Sequence, residues 1–335
     1  LNQGGWLGIS WSKDYGGRGL TELHTAVFNE ECILRHAPTP IGLIGILLAG
    51  PTILSHGTEE QKREYLPKIL SGEDIWCQGF SEPGTGTDLA GLQTSAVATM
   101  DGWRINGQKV WTSSGHIANK CLLLARTNPE KFRHHGISYF LADTAHFDVR
   151  PLKMINGDAE FNEMFIDDVF VSQDCLLGEL NEGWVVAMTT LMVERSSVAF
   201  NLQVWARQIL DRLIELVIEK NLQDEEYVLD RLGAFESEVE AIRIGAIRGA
   251  SSLAAGEAPG PEASALKLQW SNSVQEISRF CLEIGGSMFQ RSVINDGNFW
   301  MQKYLRARGH SIEGGTSEIQ KSILAERVLK LPKSR

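Results

Sequence analysis

Residues 76–115 read WCQGFSEPGTGTDLAGLQTSAVATMDGWRINGQKVWTSSG, and this stretch decides the fold class. Within it the hydrophobic period changes from helical to alternating. Trp103 and Ile105 flank Arg104, as in a half-buried strand. Asp101-Gly102 and Asn106-Gly107 are pairs that tolerate the positive φ of tight hairpin turns, so two turns are expected here. The part from 80 to 91 is a glycine-rich loop bearing the hydroxyls of Ser81, Thr85 and Thr87. Glycines let a backbone come close to a ligand and turn N–H groups toward it, which suits a pyrophosphate. On spacing alone an ordinary β-loop is the plainer reading. A dinucleotide fingerprint is excluded, because its third glycine would fall on Leu89 and the following residues are strand-like. In KVWTSSG (109–115) Trp111 could stack on a flat ring while Ser113 donates to it, although a core tryptophan is the plainer reading.

Working outward, CLLLAR (121–126), GISYFLAD (136–143) and EMFIDDVFV (163–171) are further β-like runs. They extend an antiparallel or barrel-like β domain over residues 75–181. Residues 1–74 read as helical. Thr58-Glu59-Glu60-Gln61 is a capping box, Pro67 is expected to split the segment into two short helices, and Ser71-Gly72 ends it. Residues 182–335 are helical again. The run from Gly183 to Lys220 has no proline and no internal glycine, and a second run covers about 225–255. GEAPGP (256–261) reads as a hinge, and helices are expected at 262–284 and 317–329, making a four-helix bundle. The fold class is therefore α+β and multidomain: helices (1–74), a β domain (75–181), then a helical bundle (182–335).

Composition narrows the function classes. Of 335 residues, 43% are hydrophobic and 22% charged, enough for a substantial core. The 32 basic and 42 acidic residues leave a net charge of −10, which argues against a nucleic-acid or anionic-membrane surface as the main partner. Cys32, Cys77, Cys121, Cys175 and Cys281 form no C-x-x-C pair and read as reduced, buried thiols of an intracellular protein. Ala37 to Thr58 carries no charged residue, but its longest apolar run between prolines, IGLIGILLAG, is ten residues, about half a bilayer crossing. A buried core helix is the reading. His134-His135 lies in a polar loop without metal-ligating company. The chain opens on Leu1 in what reads as domain interior, with no signal or transit segment, so the first domain is expected to be truncated at its start.

Two further motifs carry chemistry. Gly314-Gly315 precede a helix whose Ser317 and Gln320 have capping-box spacing, and such a helix start is a ready anion site. A plain loop-to-helix junction fits as well. Glu194-Arg195 sits in the long helix among Leu191, Met192, Val193 and Val198. A helical Glu is usually solvated, but one in an apolar place has a raised pKa and can accept a proton.

Taken in order, these motifs resemble the acyl-CoA dehydrogenase family. The resemblance runs from GWLGISWSKDYGGRGL (5–20), NEE (29–31) and HGTEEQKREYLPKILSGE (56–73), through FSEPGTGTDLAGLQTSA (80–96) and DGWRINGQKVWTSSG (101–115), to GGTSEIQKSILAERVLKLP (314–332). It implies FAD as cofactor and oxidation of the Cα–Cβ bond of an acyl-CoA thioester to a trans-2-enoyl-CoA. A carboxylate takes the α-proton while the β-hydride passes to flavin N5. It places Phe80, Ser81, Gly86 and Thr87 along the flavin and its phosphates, Thr87 also near the CoA portion. Trp111 then covers the flavin ring, Ser113 bonds near N5, Thr316 and Glu318 meet the cofactor, and Gly315 lies near the thioester.

The commonest catalytic Glu of the family stands just before the Gly-Thr of the last motif, where this chain has Gly314. Other members carry the base in the bundle helix before an Arg, as Glu194-Arg195 does. Glu194 is the expected base, with Glu313 or no base as alternatives, and Arg195 is expected to position substrate or the helix. Self-completing members also show Arg-x-x-Phe-Gly after the bundle helix and a Gln before a Gly-Gly pair. Here the first is absent and Leu282 replaces the Gln before Gly285-Gly286. The resemblance therefore implies a homo- or hetero-tetramer, with a paralogous subunit completing the flavin site, as in actinobacterial steroid-CoA enzymes. It implies electron-transfer flavoprotein as acceptor and a cytoplasmic location, or the mitochondrial matrix in a eukaryote. Competing readings are a non-catalytic partner subunit and a flavin oxidase or monooxygenase on the same fold.

Overall fold

Thr58 starts its helix as its sequence dictates. In a computed structural model of the chain, its Oγ1 accepts from Gln61 N at 3.2 Å and its N–H donates to Gln61 Oε1 at 3.1 Å. The structure describes residues 1–332 apart from 256, 258, 259, 262 and 287–298, and for 195–199 it describes the backbone alone. Half of the GEAPGP hinge and the side chain of Arg195 thus lie outside the described residues.

By contacts the chain divides into two units. One comprises Leu1–Leu20, Thr39–Met154 and Asp158–Glu194, and the other Thr21–Pro38, Ile155–Gly157 and Arg195–Arg335. The first holds α2 (Gly50–His56), α3 (Glu59–Ser71) and an eight-stranded sheet. Pro67 does not split α3. It is exposed, so the carbonyl it leaves unpaired faces water, while Leu66, Ile69 and Leu70 anchor the last turn in the core. The apolar run 41–50 is no span: Leu48, Ala49 and Ile53 are buried against Leu66, Ile69 and Trp76. Among the described residues no helix is long and apolar enough to cross a membrane.

The strands are β1 (Trp76–Gly79), β2 (Ser95–Ala98), β3 (Gly102–Ser113), β4 (Lys120–Arg126), β5 (Ile137–Asp143), β6 (Asp148–Leu152), β7 (Phe161–Ser172) and β8 (Leu176–Leu177). Their order is β6-β7-β3-β2-β4-β5-β8, with β1 beside β4. The sheet is mixed, a correction to the antiparallel expectation: β1 runs parallel to β4, and β2 meets β4 in parallel at Ser95 and Arg126. Parallel neighbours need a long connection, and the β2–β3 hairpin between β1 and β4 supplies it. Successive residues of β4 and β5 enter different cores. Leu122, Leu124, Tyr139 and Leu141 join the helices, and Cys121, Leu123, Phe140 and Ala142 join Trp103, Ile105 and Met164. Burial on both faces explains why these strands read as continuous apolar runs.

Asp101-Gly102 makes the expected turn between β2 and β3, but Asn106-Gly107 stays inside β3. Asn106 Oδ1 accepts from Asp168 N at 2.8 Å where the β3–β7 register shifts, and Asp168 has φ 50°. The pair thus marks a bulge, and Gly107 is required because a Cβ there would collide with Thr94.

In the second unit, α1 (Glu22–Leu34) packs on α5 (Glu226–Ala254), and Gln208 Nε2 donates to Ile33 O at 2.8 Å. The rest of α4 (Gly183–Glu219), α5 and α6 (Ala263–Gly285) share a core around Leu210, Leu213, Phe235, Ile242, Ile277 and Phe280. Two short helices follow, α7 (Phe299–His310) and α8 (Ser317–Ile323), the latter continuing in a π-turn to Val328. The expected bundle omitted α7. Its residues FWMQKYLRARGH carry no clean stripe, and only Trp300 and Ala307 are fully buried.

Candidate functional site

β1 delivers the chain into the glycine-rich loop, where a series of polar contacts fixes its shape. Phe80 is buried edge-on against Tyr139, ring centroids 5.8 Å apart. Val110 N donates to Ser81 O at 2.9 Å, which joins the loop to the strand bearing Trp111. Glu82 and Thr85 exchange backbone hydrogen bonds of 2.9 and 3.0 Å around Gly84. Farther along, Arg126 donates to Leu92 O at 3.1 Å and to Ala90 O at 2.9 Å. Arg133 pairs with Asp88.

The sequence reading passed over the pair beneath this loop. Lys109 is 0% exposed, and its Nζ lies 2.8 Å from Glu82 Oε1 and 3.1 Å from Phe80 O. Glu82 also accepts from Gln93 N at 2.7 Å and Thr94 N at 2.8 Å. Burial pushes the Glu82 carboxyl up, but the Lys109 charge and the hydrogen bonds from Lys109, Thr94 and Gln93 outweigh it and hold the group below its ordinary range. Burial pulls the Lys109 ammonium down, and Glu82 offsets this only in part. The signal was present as Glu82 inside the loop and Lys109 on an alternating strand, but pairing across 27 residues is a matter of register.

Trp111 is not a core residue. It is 60% exposed with φ 60°, where the β3–β7 register slips between Lys109 and Thr112. A bulge turns its ring outward, edge-on to Phe161 at 5.9 Å. Ser113 is half-buried opposite Phe161. The Oγ1 atoms of Thr85 and Thr112 are buried without a hydrogen-bond partner. No protein atom stands within 4 Å of the place a Cβ would take on Gly84 or Gly86. Thr87 is exposed. An outward flat ring, orphaned hydroxyls and open glycines fit a planar cofactor with a phosphate tail.

Glu194 is half-buried on α4. One turn earlier, Thr190 is fully buried. Its Oγ1 shares 3.0 Å hydrogen bonds with Tyr139 Oη and with Thr52 Oγ1. These contacts set the rotation of the helix segment that carries Glu194. The first unit therefore brings Phe80, Ser81, Gly86, Thr87, Trp111 and Ser113 together around one loop and one strand, with Glu194 on α4.

In the second unit the cap of α8 is Thr316, not Ser317: Thr316 Oγ1 accepts from Ile319 N at 3.3 Å. Gln320 turns back instead, its Nε2 donating to Gly314 O at 2.9 Å, because Gly315 at φ 94° brings those carbonyls toward it. Lys267 holds Gly315 O at 2.7 Å. Glu318 is exposed in the first turn. Glu313 accepts from Arg306 at 2.8 and 3.1 Å and lies 2.6 Å from His310 Nδ1. Burial pushes its pKa up, but the bonds to His310 and Arg306 prevail and hold it at about 2. This carboxylate stabilises the fold above its unfolded pKa of about 4.5, and the contribution is lost as pH falls toward 2. At a site one-third exposed this amounts to about 1–2 kcal/mol. Glu313→Gln is expected to lower the melting temperature at pH 7 and to have little effect near pH 2.5. A gap between the two proteins that is the same at both pH values would contradict this.

Acyl-CoA dehydrogenase family models match residues 1–73 (N-terminal domain), 77–169 (middle domain) and 181–329 (C-terminal domain). The acyl-CoA dehydrogenase IpdE1 of Mycobacterium tuberculosis is 38% identical over 97% of this chain and 84% of its own length. The chain belongs to the acyl-CoA dehydrogenase family. Members are FAD flavoproteins and oxidoreductases, and the loop and Trp111 fit that cofactor. Acyl-CoA dehydrogenase FadE34 of the same organism is 37% identical over 98% of this chain, which spans 45% of that relative. Among solved structures, the Tcur3481-Tcur3483 steroid ACAD superposes with a TM-score of 0.91 at 29% identity, over 100% of this chain and 88% of that one. The ChsE4-ChsE5 complex from Mycobacterium tuberculosis gives 0.81 at 30% identity, over 99% and 88%. The three-part order of this acyl-CoA dehydrogenase, helices then β domain then helices, agrees with the family fold.

Proposed function

We propose that this chain is the base-bearing subunit of an acyl-CoA dehydrogenase that converts an acyl-CoA to a trans-2-enoyl-CoA. The observation that carries the proposal is the fate of the two candidate carboxylates. Glu313 is committed to Arg306 and His310 and held near pKa 2, which makes it a poor proton acceptor at neutral pH. Glu194 is the other candidate, half-buried on a helix fixed by Thr190, and its place just before Arg195 matches the family members that carry the base in the bundle helix. Its carboxylate takes the α-proton of the thioester. FAD, when bound, accepts the β-hydrogen as a hydride, so two electrons and two hydrogens leave the substrate. Trp111 covers the ring, Ser113 donates beside it, and Phe80, Ser81, Gly86 and Thr87 line the cofactor, with Thr87 reaching the CoA portion. The family resemblance also assigns Thr316 and Glu318 to cofactor binding, Gly315 to the thioester and Arg195 to positioning substrate.

Leu282, 8% exposed in the bundle core, offers no polar group where self-completing members have Gln, which supports a paralogous subunit as partner. The steroid ACAD and ChsE4-ChsE5 neighbours support a steroid-like acyl group and a hetero-oligomer, and the family resemblance supports electron-transfer flavoprotein as the acceptor. The family resemblance supports a cytoplasmic location, or the mitochondrial matrix in a eukaryote. The test is anaerobic titration of the yellow holoprotein, with its candidate partner, against straight, branched and steroid-like CoA esters. Flavin bleaching by a CoA ester is expected. Bleaching only by substrates lacking CoA, or oxygen consumption without an acceptor, would favour an oxidase and overturn the reading.

A further inference from the structure

A lysine with no solvent exposure needs a reason. Burying an ion pair rarely stabilises a fold more than a well-packed apolar pair of the same volume does. Lys109 and Glu82 do something an apolar pair does not: together they bind the backbone at both ends of the glycine loop. Lys109 Nζ holds Phe80 O at 3.1 Å, where the loop begins. Glu82 holds Gln93 N and Thr94 N at 2.7 and 2.8 Å, where it ends. The 2.8 Å contact between the two charges closes the ring. Two residues after Lys109, on the same strand, is the outward-turned Trp111.

We propose that Lys109 and Glu82 are positioning residues of the cofactor site: the buried pair clamps residues 80–94 into the open cradle that receives the flavin phosphates. This rests on the flavin reading above. Neither side chain touches the cofactor, since both face inward beneath the loop. The clamp predicts that fold stability and cofactor affinity can be separated. An apolar pair fills the volume but releases Phe80 O, Gln93 N and Thr94 N.

The experiment compares wild type, the Lys109→Met/Glu82→Leu double variant and the milder Glu82→Asp. Each is stripped of FAD and refilled by titration, with melting temperature and amide hydrogen exchange measured on the same samples. The double variant is expected to melt within a few degrees of wild type, to bind FAD at least about 10-fold more weakly, and to exchange faster at residues 84–91 while β5 keeps its protection. Glu82→Asp keeps the charge but withdraws the carboxylate by one methylene, so it is expected to shift affinity and exchange the same way, less far. Should the double variant fail to fold, Glu82→Asp decides. Wild-type FAD affinity and unchanged exchange at 84–91 in the folded variants would overturn the clamp. A wild-type chain that takes up no FAD, alone or with its partner, would overturn the proposed function, and the exchange data would still decide whether the pair orders the loop.

Discussion

Glu194→Gln is expected to leave a yellow, folded protein that acyl-CoA no longer bleaches at a useful rate. The amide has the shape of the acid and a similar helix propensity, so α4 and its Thr190 anchor to Tyr139 and Thr52 persist. What is lost is a proton acceptor. A positioned general base contributes about 10²- to 10⁴-fold, and the anaerobic bleaching rate is expected to fall by that factor. FAD affinity should not change, because Glu194 lies on α4 and not on the loop. Glu313→Gln is the control: it should bleach at close to the wild-type rate and show its cost in stability alone. Fast bleaching by Glu194→Gln together with slow bleaching by Glu313→Gln would reverse the assignment of the base.

The second large effect is structural. Phe280 is 0% exposed in the helical core. Its ring stands 5.9 Å from Tyr227 and 5.8 Å from Phe235, with the Arg231 guanidinium 5.9 Å above it. Cutting it to alanine removes contacts on three sides, and the long helices α5 and α6 that meet there cannot collapse onto the void. Phe280→Ala is expected to cost about 3–5 kcal/mol, and Phe280→Leu, which refills most of the volume, about 1–2 kcal/mol. Urea unfolding of the holoprotein followed by circular dichroism measures both. A loss below about 1 kcal/mol for the alanine variant would show that this core relaxes around the gap.

Much of the architecture was legible because it is written in local patterns. The capping box at Thr58 and the apolar period of α5 and α6 needed only neighbours in the chain. The same holds for the Asp101-Gly102 turn. Where local rules failed, a tertiary contact had overridden them. Pro67 stays inside α3 because its far side faces water while the near side is held by the core. Asn106-Gly107 has the chemistry of a turn, but pairing with β7 absorbs it as a bulge. Ser317 has capping-box spacing, yet Gly315 at positive φ draws Gln320 back and leaves the cap to Thr316. Helix α7 went unread because its buried side is narrow.

The stretch from Trp76 to Gly115, met first as an alternating pattern around a glycine-rich loop, shows where the division falls. By itself the sequence determined that a loop of small hydroxylated residues joins strands and that Trp111 and Ser113 stand at a strand end. These are facts of residue type and local order. That Glu194 and Glu313 are the carboxylates to weigh came from the resemblance to the family. Only the tertiary structure decided that Trp111 faces outward on a bulge, that Glu313 is held by Arg306 and His310, and that Lys109 lies buried beneath the loop on Glu82. Each depends on register between distant segments and on burial, which set the orientation of a ring and the charge of a carboxylate, and neither is encoded in the spacing of neighbours along the chain.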